Sequence, residues 1–415
     1  MDFKLHTLAN GLRLVHSHVD STAMVAMNVL YNTGARDEDP GLTGIAHLLE
    51  HMMFGGSANV PDFDKVLSAA GGIDNAWTSN DFTSFWDVAP AHNAETLFYL
   101  ESDRMRAPLF PDEGTAIQKS VVIEEFKQQC INRPYGRSAH YLRQMLYDGA
   151  HPYSWPVIGK TPDHVAAATS ADLHRMFRQN YAPGNAVLAV TGNIDFDLAC
   201  RWAEKWFADI APRPVPAHDF VPVAPLDAPR RFEVTDKVPA TMITLAWLMD
   251  PYGTEGYTAG DALTDILAAG NASRFYRRLI VDGPGWFTDA DASISGSEHE
   301  GFLMINARLA DESVDIESAE RLLVDEALKL CGEDIPSEHE VRRLINRQDS
   351  LFTLGNIDSL SLAQTLAMAV IHNEAPDAQL LKYRALTPEI LRSHASRIFG
   401  APHATLITRP STQEQ

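Results

Sequence analysis

The chain has 415 residues, a formal net charge of −21 at pH 7 and 45% hydrophobic residues. That length exceeds what one ordinary core fills and implies two or more domains. The acidity argues against nucleic acid or an anionic membrane as partner, and no apolar run approaches the ~18 residues of a membrane span.

The start, "MDFKLHTLANGLRLV", reads as strand and turn and lacks the apolar core of an export signal. The expected compartment is the cytoplasm, or the periplasm if a signal has been removed. Next, "TAMVAMNVLYNTGAR" reads as a strand alternating inward and outward, then a turn, then a helix.

That helix lies in "GIAHLLEHMMFGG", Gly44 to Gly56. Residues four apart share one helix face. His47, Glu50 and His51 therefore cluster on one narrow arc, with Phe54 beside them. Leu42, Ile45, Leu48, Leu49, Met52 and Met53 take the other side. Pro40 and Thr43 supply start signals, and Gly55-Gly56 a stop. Two imidazoles at this spacing can point ring nitrogens at one cation, and a catalytic zinc keeps three protein ligands and one open position. Glu50, on the same face, can take a proton from the attacking water. HxxEH is HExxH in reverse, the inverzincin signature.

The stretch "GGIDNAWTSNDFTSFW" follows. Gly71-Gly72 permit a tight turn. From Phe82 onward Phe82, Ser84, Trp86 and Val88 alternate with Thr83, Phe85 and Asp87, a strand pattern. An extended peptide can add to such a strand edge through its backbone, with little demand on sequence. "IQKSVVIEEFKQQ", Ile117 to Gln129, reads as a helix with adjacent glutamates 100° apart. At most one of Glu124 and Glu125 can face a metal, and helical geometry alone does not choose between them.

Cys130, Cys200 and Cys331 are odd in number, widely separated and without CxxC spacing, so neither a disulfide framework nor a zinc knuckle is expected.

Two segments repeat at a shift of 218 residues: Thr169–Val190 and Thr387–Thr408. Each opens with a capping Thr and runs through an amphipathic helix, an aromatic, a Pro-containing turn and an apolar strand. "ATMITLAWLMDPYG" likewise echoes the early strand. The expected architecture is α+β, with two tandem homologous domains at 1–214 and 231–415 joined by a Pro-rich linker at 215–230. Only the first carries HxxEH. The matching helix of the second, "TAGDALTDILAAG", offers Asp261 and Asp265 but no histidine.

Four stretches, "GIAHLLEHMMFGG", "GGIDNAWTSNDFTSFW", "SVVIEEF" and "HPYSWPVIGK", together resemble the M16 metallopeptidases, in order and spacing and over essentially the whole chain. The resemblance implies two α/β-sandwich domains forming half of a clamshell, and one Zn2+ per chain held by His47, His51 and Glu125. Glu50 would be the catalytic base, and Glu124 would support the ligands from outside. Asn75 and Ala76 would hold substrate backbone, with Phe54 and Trp77 lining a side-chain pocket.

M16 enzymes also use an Arg and a Tyr after a motif like "SRFYRRL", here Ser273 to Leu279. Aligned there, Ile280 stands at the Arg position and Phe287 at the Tyr position. Arg277 and Arg278 could supply the arginine on a shifted alignment, but no tyrosine occurs between Tyr276 and Tyr383. The resemblance is therefore to the zinc subunit of a heterodimer whose homologous partner supplies both residues, with a homodimer as a further option. The expected function is a zinc endopeptidase subunit acting on unfolded peptides. The alternative is a catalytically weak or non-catalytic assembly subunit of the same fold.

Overall fold

The segment "TAMVAMNVLY" forms a strand, Met24–Tyr31, in which every residue after Met24 is buried. Alternation gives way to burial on both faces because each face is covered: Leu30 packs in the cluster of Leu362 and Leu366, and Tyr31, on the opposite face, packs against Tyr181. In this computed structural model residues 2–215, 217, 222–296, 298–332 and 334–411 are described.

The strands are β1 (Lys4–Thr7), β2 (Arg13–His18), β3 (Met24–Tyr31), β4 (Ile73–Thr78), β5 (Thr83–Pro90), β6 (Ala186–Gly192), β7 (Arg230–Asp236), β8 (Met242–Met249), β9 (Phe287–Ser295), β10 (Gly301–Leu309) and β11 (Ala404–Pro410). They build two sheets, ordered β1-β2-β6-β3-β5-β4 and β7-β11-β8-β10-β9. Apart from β1 the two orders correspond strand for strand. In each, one parallel pair (β2 with β6, β7 with β11) adjoins an antiparallel run. The repeat read from sequence is thus a repeated topology. Its helices start as expected: the Thr169 hydroxyl accepts from the Asp172 N–H and the Thr387 hydroxyl from the Ile390 N–H.

Two compact units result, and both are discontinuous in sequence. One comprises Met1–Phe126, Trp155–Asp219 and Phe352–Ala378. The other comprises Lys127–Ser154, Phe220–Leu351 and Gln379–Gln415. The contiguous ranges 1–214 and 231–415 are therefore crossed twice. Leu362, Ala363, Leu366 and Ala367, on the helix Ser359–Ile371, pack against Val15, Leu30, Phe82, Val187 and Ala189 of the first unit. Leu142 and Leu146, on the helix Ser138–Leu146, pack against Ala246, Phe302, Ala404 and Leu406 of the second. Each helix buries its apolar face on a sheet built mainly from the opposite end of the chain. Of the expected linker, residues 216 and 218–221 lie outside the described residues.

The second unit contains a partly buried ion pair. Arg274, only 4% exposed, donates to both carboxylate oxygens of Glu340 at 2.9 and 3.0 Å and to the carbonyls of Asp334 and Ile335. Burial pushes the Glu340 carboxyl up, but Arg274 and the Ser337 N–H overcome it and hold the group at about 2, against an ordinary 4.5. A depressed carboxyl stabilises the fold above its unfolded value and loses that contribution as pH falls through the folded one. Glu340→Gln is expected to cost about 2 kcal/mol at pH 7 after allowance for solvent screening. The gap to the parent should narrow between pH 4.5 and pH 2. Urea midpoints at pH 7 and pH 3 measure it, and a gap independent of pH would refute the assignment.

Candidate metal centre

The HLLEH helix spans Ile45–Met52 and stops before Gly55-Gly56. It begins at Gly44, whose φ of +87° suits glycine, and a Cβ there would sit 2.9 Å from Val165 and 3.0 Å from the Ile158 carbonyl. Ile45, Leu48, Leu49, Met52 and Met53 are buried, which turns the polar stripe toward a cleft.

The glutamate pair sits near the end of the helix Asp112–Phe126. Val122 and Phe126 anchor that helix in the core, so Glu124 faces solvent and Glu125 is half-buried. Glu125 Oε2 lies 3.7 Å from His47 Nε2 and 3.5 Å from His51 Nε2. The rings of His47 and His51 stand 4.8 Å apart and nearly perpendicular. The ligand atoms of all three residues fall within 4.8 Å of one another, and among the described residues no other such group occurs. Two nitrogens and one oxygen suit zinc, whose tetrahedral edge is about 3.3–3.4 Å for bonds of ~2.0–2.1 Å. Burial, with His51 adding repulsion, pushes His47 down to about 4. The imidazole is therefore neutral at ordinary pH, the form that ligates.

Glu50 is 8% exposed and accepts a hydrogen bond from the Thr78 hydroxyl at 2.5 Å. Burial pushes its carboxyl up to about 7, Thr78 opposing and Glu125 adding to the rise. A cleft of about 400 Å³ opens here, lined by Glu50, His51, Phe54, Asp64, Asp74, Asn75 and Gln118. Beneath Phe54, the buried Arg104 guanidinium lies 4.9 Å from its ring, 3.9 Å from Phe63 and 4.8 Å from Phe85.

Strand β4 is an edge strand, paired only with β5. Thr78 reaches Glu50, so by the two-residue period Asp74 and Ala76 share the face toward the HLLEH helix. Asn75 and Trp77 share the other face. Asn75 still borders the cleft from its edge, exposed, with its side-chain oxygen on the Ala76 N–H at 2.8 Å. Trp77 packs instead with Phe82 and the Leu362 cluster, and the cleft lining includes Phe54 without it. Strand alternation puts Trp77 on the face opposite Thr78. Sequence reading missed Asp64, Asp74 and Gln118; only for Asp74 did a signal exist, its even spacing from Thr78.

In the second unit the counterpart helix, Glu255–Ala268, is plugged. Asp261 accepts the Tyr383 hydroxyl, while Asp265 takes Arg347 at 2.7 and 2.8 Å and Gln348 at 3.0 Å. Phe287 is 4% exposed in the core of that unit, and Ile280 packs against the same core. Arg278 is tied to Asp334 at 2.6 Å and to Glu326. Arg277 is exposed.

Known relatives and solved structures share the fold. The zinc protease PqqE of Helicobacter pylori is 27% identical over 281 residues, which cover 66% of this chain and 63% of that relative's length. A protease from Helicobacter pylori superposes with a TM-score of 0.90 at 24% identity over 99% of both chains. The periplasmic protease PqqL of Escherichia coli matches 99% of this chain and 48% of its own, with a TM-score of 0.80 at 18% identity. At such identities these structures establish the fold alone. Residues 13–135 match the family model described as Insulinase (Peptidase family M16), and residues 167–348 match the one described as Peptidase M16 inactive domain. With both its halves matched, the chain belongs to peptidase family M16.

Proposed function

We propose that the chain is a zinc-dependent endopeptidase subunit that hydrolyses unfolded peptides. The observation that carries this reading is the donor set itself. His47, His51 and Glu125 converge beside the buried Glu50, at a cleft bordered by an open strand edge. The family match and relatives named zinc proteases support it.

His47, His51 and Glu125 would hold the metal, which when bound polarises a carbonyl and acidifies water. Glu50 takes the proton of the attacking water and delivers it to the leaving amine. The Thr78 hydroxyl keeps the Glu50 carboxylate in place for both transfers. The unpaired side of β4 binds extended peptide by backbone hydrogen bonds, with Asn75 and Ala76 at the contact.

The Arg and Tyr of M16 enzymes are expected from a homologous partner chain. Ile280 and Phe287 stand at the aligned positions, and Phe287 has no hydroxyl to donate to an oxyanion. That this chain matches about half of the PqqL chain supports a second, similar half. This chain alone should cleave peptide poorly, by ~10²–10³-fold relative to a complete pair. A homologue carrying Arg and Tyr should restore activity on mixing, and changing its Tyr to Phe should abolish most of the gain. Equal turnover with and without the homologue, at equal zinc loading, would defeat the partner reading.

A further inference from the structure

The stretch "HPYSWPVIGK" supplies none of the donor set, yet its second half grips the start of the HLLEH helix. Trp155 is fully buried, and its indole N–H donates to Glu38 Oε2 at 2.9 Å and to the Ala35 carbonyl at 3.1 Å. Glu38, itself 6% exposed, also accepts the Gly44 N–H on Oε2 at 3.0 Å and the Ala46 N–H on Oε1 at 2.8 Å. The Lys160 N–H donates to the Thr43 hydroxyl at 2.8 Å, and the Thr43 N–H to His164 Nδ1 at 3.1 Å.

Three N–H donors thus converge on one carboxylate, and both its oxygens accept. A glutamine could match one side only, because its amide nitrogen would face an N–H donor. A buried donor left without a partner costs about 1–3 kcal/mol. The helix is eight residues long, too short to hold its own geometry, so its placement comes from what its ends touch. The N–H held by Oε1 belongs to Ala46, the residue directly before His47.

We infer that Glu38, held by Trp155, is a positioning residue that sets the rotation of the HLLEH helix and thereby brings His47 into register with His51 and Glu125. The inference rests on the reading of those three residues as metal holders. It assigns the Trp155 segment a task at the metal centre without contact to it.

The test uses the full chain freed of metal and titrated with Co2+, whose visible absorption reports ligand geometry. Affinity is read by competition with a chelator. Glu38→Gln should weaken Co2+ binding ~10–100-fold, the range seen for residues that orient ligands from outside, and should alter the absorption band. Trp155→Phe removes a single donor and should shift both readouts in the same direction by less. Glu340→Gln lowers stability in the other unit and should leave both unchanged, which separates positioning from general loss of stability. If Glu38→Gln fails to fold, Trp155→Phe decides. Folded variants that bind Co2+ with the parent's affinity and spectrum would overturn this inference alone. A parent that binds no Co2+ would overturn the metal reading and the inference with it.

Discussion

Glu50→Gln is expected to leave zinc bound and to lower peptide hydrolysis by at least ~10²-fold, the usual contribution of a positioned general base. The substitution keeps the shape of the side chain and one oxygen for the Thr78 hydroxyl, so the fold loses little. What disappears is the group that accepts a proton. Glu50 lies one residue before His51 and shares its face of the helix, but the donor set converges on Glu125 instead. Metal content and turnover should therefore separate cleanly. Mixed with a homologue carrying the Arg and Tyr, the variant should show parental zinc by elemental analysis and residual hydrolysis near background. Turnover equal to the parent, with contaminating peptidase controlled, would remove Glu50 from the chemistry. Loss of zinc together with activity would make it a ligand.

The second large effect concerns the ligands. His51→Ala and Glu125→Gln should each lose most of the zinc, because each removes one of three protein donors. The loss should exceed the ~10–100-fold that changes outside the ligand shell cost. Glu124→Gln serves as the internal comparison. It sits next in sequence, on the exposed side of the same helix, and should retain the metal. Full zinc in both His51→Ala and Glu125→Gln would end the assignment. Zinc lost from Glu124→Gln and kept in Glu125→Gln would reverse the choice within the pair.

The parts of this arrangement legible in the sequence are those with a short repeat length. The i, i+4 spacing of His47 and His51 places both rings on one face before any tertiary contact is known. The two-residue period of "FTSFW" marks β5, and the capping Thr residues mark where two helices begin. The choice between Glu124 and Glu125 needed more, since a phase of 100° has no zero until the core side is known. Val122 and Phe126 supply it by their burial. The face Trp77 occupies is likewise set by Thr78 reaching Glu50, a contact between distant segments. The cleft residues Asp64 and Gln118 come from two helices whose meeting no local pattern encodes. The discontinuity of the two compact units is likewise invisible to local pattern. "SLSLAQTLAMAVI" announces an apolar helix, and nothing in its periodicity says which of two similar sheets it will cover.

That helix has a consequence for biosynthesis. The face formed by Val15, Leu30, Phe82, Val187 and Ala189 is closed by Leu362, Ala363, Leu366 and Ala367. A ribosome delivers the sheet long before its cover. At roughly 5–20 residues per second, the interval between Ala189 and Leu362 lasts on the order of 10–30 s. Through that time the nascent chain carries an open apolar sheet face, the kind of surface that recruits chaperones or aggregates. The first unit is thus the earlier to be translated but is not finished before the second is nearly complete. Halting synthesis after residue 214 would release a sheet with one side bare rather than a smaller folded protein.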